Sequence, residues 1–175
     1  SALVYGGVLN TVEYNEFYDC CINGADAGVI YSGRDLGDHG TVIRYNHFYN
    51  IGNEEEGRQF YPCCVFTDDG SSDMELYGNV FGPNIAECEA FKVHGGQNNN
   101  AYHNLFIDAP RAHHMADWSD SDWQYVITEN YGSSSWISAE SKESYFAPLR
   151  AILANPLYQE KWPWLKEAYE TPEKA

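Results

Sequence analysis

A six-residue phrase that returns along the chain constrains its fold more than any other feature. Val12-Glu13-Tyr14-Asn15-Glu16-Phe17 is followed by Ile43-Arg44-Tyr45-Asn46-His47-Phe48, then Leu76-Tyr77-Gly78-Asn79-Val80-Phe81 and Ala101-Tyr102-His103-Asn104-Leu105-Phe106. A worn fifth copy is Ile127-Thr128-Glu129-Asn130-Tyr131. The asparagines are separated by 31, 33, 25 and 26 residues, the period of a solenoid turn whose connections vary in length. One turn cannot bury its apolar side alone, so the turns must stack. Stacking puts Val12, Ile43, Leu76 and Ala101, with Ile127 in the worn copy, into one interior column. Asparagine tolerates left-handed backbone, so it is expected to turn the corner, with the phenylalanine two positions later pointing into the core. A β-sandwich also has short strands, but it does not demand the same residues at the same turn of every repeat.

A second strand alternates with the first. It reads Gly28-Val29-Ile30-Tyr31-Ser32-Gly33, then Cys64-Val65-Phe66-Thr67-Asp68-Asp69, Ala90-Phe91-Lys92-Val93-His94-Gly95 and Ala112-His113-His114-Met115-Ala116-Asp117. Two strands per coil closed by Gly- and Asn-rich corners describe an all-β, right-handed parallel β-helix of four to five coils. Strict alternation aligns Val29, Val65 and Phe91 as inward residues and turns Ile30, Phe66, Lys92 and His114 outward. The next outward column is then Ser32, Asp68, His94 and Ala116, and His113 points inward as a core histidine. The coils are expected over residues 1–136. Residues 137–175 form a segment with short helices at 142–153 and 160–169, broken at Asn155-Pro156, that packs on or caps the solenoid.

The net charge of −16, from 26 acidic against 10 basic residues, would repel a phosphate backbone and argues against nucleic acid. No apolar run is long enough to span a bilayer, so no membrane span is expected. The five cysteines, Cys20, Cys21, Cys63, Cys64 and Cys88, lack the spacing of a zinc or redox motif; stacked coils would make them neighbouring buried thiols. Aromatic residues make up 15% of the chain and suit sugar-stacking surfaces as well as core stacks.

Polar residues concentrate at the ends of the second-strand series: Arg34, Asp35 and Asp38, then Asp68 and Asp69, then Lys92 and His94, then His114 and Asp117. Coils lie about 4.8 Å apart, so residues distant in sequence fall within one sugar ring of each other. Taken alone, Asp68-Asp69-Gly70 is an ordinary turn. Its clustering with Arg34, Asp35, Lys92 and His94 at one height of the stack points to chemistry instead. Paired carboxylates serve glycoside hydrolysis as acid and as nucleophile or base, and crowding drives their pKa values apart. Asp35, Asp68 and Asp69 are the catalytic candidates. Arg34, Lys92 and His94 would hold hydroxyls or a uronate, while His114, Asp117 and Trp118 would line the cleft. The acidic run Glu54-Glu55-Glu56, before Arg58, reads as a solvated loop walling the groove.

Gly28 to Asp35, Thr41 to Ile51, Val65 to Ser72, Leu76 to Phe81 and Phe91 to Gly96 come in an order that resembles bacterial right-handed parallel β-helix proteins related to glycoside hydrolase family 141. The resemblance covers residues 10–110, and Trp162-Pro163-Trp164-Leu165 is similar to a Tyr-Pro-x-Leu helical insertion in such proteins. It implies a secreted, periplasmic or surface-bound enzyme degrading plant-type pectic or hemicellulosic polysaccharide, with Asp35 and one of Asp68 and Asp69 as catalysts. It also implies that this chain is part of a longer polypeptide or assembly contributing the neighbouring coils. No cofactor or metal is expected for a hydrolase. A polysaccharide lyase is the alternative, with Lys92 and Arg111 or Arg34 acting on a uronate and Ca2+ held by the acidic face. A non-catalytic carbohydrate-binding or adhesive β-helix is the other, because fold does not fix function.

Overall fold

The computed structural model describes residues 1–33, 35–52, 60–84, 87–116, 151 and 154–164. The chain divides into two compact units, one of Ser1–Arg34 with Asp38–Asp117, the other of Asp35–Gly37 with Trp118–Ala175.

The first unit is a parallel β-helix of three sheets. β1 (Leu3–Val4), β4 (Gly28–Gly33), β7 (Cys63–Asp68), β10 (Glu89–His94) and β13 (Arg111–Ala116) pair in that order as the first sheet. β2 (Thr11–Glu13), β5 (Val42–Arg44), β8 (Glu75–Tyr77) and β11 (Asn100–Tyr102) make the second; β3 (Glu16–Tyr18), β6 (His47–Tyr49), β9 (Val80–Phe81) and β12 (Leu105–Phe106) make the third. Every pairing is between parallel strands of successive coils. The expected column Val12, Ile43, Leu76 and Ala101 is in register, with Ile43 and Leu76 buried, but Ala101 is exposed rather than interior. The expected phenylalanines stack as Phe17, Phe48, Phe81 and Phe106, with centroids 5.0, 5.1 and 5.4 Å apart; Phe48 and Phe81 are buried, whereas Phe106 is exposed. Cys64 and Cys88 lie in the core with sulfurs 3.9 Å apart, and Cys20 and Cys21 pack against it.

Three expectations are corrected. The asparagines do not adopt the left-handed conformation; the residue before each one does, at Tyr14, Tyr45, Gly78 and His103. Gly78 (φ +66) is needed there twice over, since a Cβ would lie 2.6 Å from Cε1 of Tyr45. The asparagines instead form an amide ladder. The Oδ1 of Asn46 accepts from both the backbone N and Nδ2 of Asn15, at 3.0 Å each. Asn79 does the same for Asn46 (3.0 and 3.1 Å), and Asn104 for Asn79. The Nδ2 groups of Asn46 and Asn79 also reach backbone carbonyls, so these buried amides are satisfied.

The second correction concerns register. Ile30, not Val29, aligns with Val65 and Phe91, so the outer columns are Tyr31, Phe66, Lys92 and His114, then Gly33 and Asp68 with His94 and Ala116. Ile30 is buried in the core and Ser32, aligned with Thr67, is buried too. Strict alternation fails because two successive residues of β4, β7 and β10, Val29-Ile30, Cys64-Val65 and Ala90-Phe91, both enter the core, and the pairing registers skip the first of each. His113 stacks on Phe91 at 5.8 Å as the column requires, yet it is exposed rather than a core histidine.

In the second unit α1 (Pro156–Lys161) begins where the sequence suggested a break. Asn155 is its N-cap, accepting from the backbone N of Leu157 at 3.1 Å, and Pro156 takes the first helical position, where its missing N–H costs nothing. No helix among the described residues is long and apolar enough to cross a membrane. The worn repeat at 127–131, the boundary at 136, most of the helix expected at 142–153, and Glu54 to Arg58 lie outside the described residues.

Candidate functional site

The strand ends of the first sheet gather Asp68, Asp69 and His94 from adjacent coils. Asp68 ends β7 and Asp69 follows it with φ +42, a left-handed corner that turns its carboxylate back towards the sheet. Gly33 makes room from the coil before, since a Cβ there would lie 2.7 Å from the Cβ of Asp68. From the coil after, His94 Nδ1 lies 2.9 Å from Asp68 Oδ1 and 3.1 Å from Asp69 Oδ1. Tyr31 donates its hydroxyl to Asp68 Oδ2 at 2.9 Å, and the backbone N of Asp69 donates to Asp68 Oδ1 at 3.0 Å. One donor atom from each of Asp68, Asp69 and His94 fits within 4.8 Å of the others.

Burial fixes the electrostatics. The side chains of Asp68 and Asp69 are 13% and 7% exposed, while that of His94 is 38% exposed and opens the cluster to solvent. Its bonds to Asp68 and then Asp69 outweigh burial and raise the His94 imidazole to about 9, so it is charged at neutral pH. Burial pushes the Asp68 carboxyl up, but the hydrogen bonds from His94 and Tyr31 prevail and hold it below the ordinary aspartate range.

A second histidine–carboxylate pair lies on the outer face. Glu89, 3% exposed at its side chain, meets His114 Nδ1 at 3.0 Å and accepts from Cys63 Sγ at 3.4 Å. Burial, and Glu89 after it, push the Cys63 thiol far up, so it stays protonated.

The expected residues therefore fare differently. Asp68, Asp69 and His94 come together. Lys92 is on the outer face, but it is buried, with Nζ 4.4 Å from the centre of the Phe66 ring and 3.5 Å from Asp26 Oδ1. That correction follows from the aromatic cover over its ammonium, which removes it from the open surface. His114 is exposed and tied to Glu89. Asp35 belongs to the second unit, where its Oδ1 accepts from Gly37 N at 2.8 Å. Asp38 is buried and accepts a hydrogen bond from Gly7 N through Oδ1. Arg34, Asp117 and Trp118 lie outside the described residues. Sequence reasoning missed Tyr31 and Glu89; with Ile30 aligned to Val65, Tyr31 enters the outer column beside Phe66 and becomes a visible candidate.

No family model, curated protein or solved structure matches the chain.

Proposed function

We propose that this β-helix is a polysaccharide-degrading glycoside hydrolase, or the coils of one, that cleaves pectic or hemicellulosic glycan at the Asp68–Asp69–His94 cluster. The observation that carries the reading is the pair of carboxylates, with donor atoms within 4.8 Å, gathered around an imidazolium at the ends of stacked strands. That closeness favours the double displacement of retaining enzymes, whose carboxyls are about 5 Å apart, over inversion, which needs about 6.5 Å or more for water. Asp68, held ionised, suits the nucleophile. The proton-donor role then falls to Asp69, and His94 contacts sugar hydroxyls from the open side. An extracytoplasmic bacterial setting accords with such a substrate.

Asp68→Asn and Asp69→Asn, each assayed on pectic and hemicellulosic oligosaccharides, test the assignment. Loss of the nucleophile lowers kcat roughly 10³-fold on every substrate, whereas loss of the acid spares aryl glycosides with good leaving groups. Undiminished turnover in both variants sinks it. The lyase alternative draws on the charged imidazole beside the carboxylates, which could neutralise a uronate; an unsaturated, ultraviolet-absorbing product would identify it.

A further inference from the structure

We infer that Asp68, Asp69 and His94 form a binding site for a divalent transition-metal ion, Zn2+ in the first place. The donors come from two successive coils and converge on one point at the strand ends. His94 Nδ1 stands 2.9 Å from Asp68 Oδ1 and 3.1 Å from Asp69 Oδ1. An ion about 2.1 Å from each donor sets neighbouring donors about 3.0 Å apart in an octahedron and about 3.4 Å apart in a tetrahedron. The two spacings to His94 fall in the range of neighbouring donors on such a polyhedron, and all three donors lie within 4.8 Å of one another. The ion takes the place of the proton between imidazole and carboxylates: the Nδ1 lone pair and one oxygen of each carboxylate bind it, and the Nδ1 proton leaves to water.

The surroundings support ligation as well as the donors do. Tyr31 fixes the other oxygen of Asp68, and the backbone N of Asp69 orients Oδ1, the kind of outer contacts that hold metal ligands in place. His94 is 38% exposed at its side chain, so solvent ions can reach the cluster. The donor set chooses the ion. Ca2+ takes six to eight oxygens, whereas the one imidazole and two carboxylates found among the described residues suit Zn2+ or its neighbours.

Binding itself does not depend on the hydrolase reading, but one consequence rests on it. Carboxylates engaged as ligands cannot act as nucleophile or acid, so Zn2+ is a reversible inhibitor of the hydrolysis proposed above.

Calorimetric titration of ZnCl2 into the full chain, stripped with EDTA and dialysed, tests the site. Wild type takes up one ion tightly; His94→Ala and Asp69→Asn weaken that uptake tenfold or more, and His113→Ala, which controls for surface imidazole, does not. X-ray absorption of the Zn2+-loaded wild type, which needs no variant to fold, shows one imidazole among oxygen neighbours. No uptake at millimolar Zn2+, uptake unchanged in His94→Ala with a native circular dichroism spectrum, or a zinc shell without imidazole overturns the inference. Tight uptake by a chain that cleaves no glycan leaves the metal site standing and removes the hydrolase.

Discussion

At the scale of single residues, the buried amides carry the most. Asn46→Ala deletes one rung of the ladder and leaves the backbone N of Asn15 without its acceptor, so we expect a loss of about 3 kcal/mol in chemical denaturation. Gly78→Ala adds a Cβ at positive φ against the Tyr45 ring and is expected to cost about 1–3 kcal/mol. Combining it with Tyr45→Ala should restore the steric part but not the backbone part, which a double-mutant cycle separates. His94 makes stability depend on pH. Because folding raises its pKa from 6.5 to about 9, its contribution is complete below 6.5 and fades as pH rises through 9. Asp68, lowered on folding, contributes above the ordinary aspartate range and loses that contribution in acid. In EDTA, His94→Gln should therefore flatten the fall in thermal stability between pH 6.5 and 9; an unchanged slope would refute the ion pair.

At the scale of strands and columns, the phenylalanine stack divides into rungs of unequal weight. Phe48 is fully buried between Phe17 and Phe81, while Phe106 is 38% exposed. Phe48→Ala should cost about 3–5 kcal/mol and Phe106→Ala clearly less, as read from urea midpoints. This column was legible in sequence because Asn-x-Phe recurs in fixed order, and so was the Ile43–Leu76 column. The second strand was less legible. A period of two presumes one inward residue in every pair, whereas Val29-Ile30 and its successors turn two in a row inward, which displaced the expected register of β4 by one residue. Asp68, Asp69 and His94 were nonetheless found together, since their columns lie beyond that irregularity and keep the register of β7 and β10. Only part of the cover over Lys92 could be read from the strands: Phe66 is its neighbour in the column, whereas Phe60 and Asp26, which also approach it, come from connections. Nor could the αL corner be given to the residue before asparagine, as composition there varies among Tyr, Gly and His while the amide is what repeats.

At the scale of the whole molecule, a charge of −16 on 175 residues opposes compaction. Raising ionic strength from about 0.01 M to about 0.15 M shortens the screening length from about 30 Å to about 8 Å, so the melting temperature should rise with NaCl; a fall would mean that attractive pairs dominate. Stability in such a stack is a sum over coils and the contacts between neighbours, so damage to one rung is felt by the coils on either side of it. The amide ladder adds direction to that sum. Each Oδ1 receives the two N–H groups of the asparagine one coil earlier, so the side-chain dipoles align head to tail. The stack consequently has a syntax. A coil grafted after Asn104 must offer an acceptor at that position, and one grafted ahead of Asn15 must offer a donor. A duplicated coil carrying asparagine supplies both.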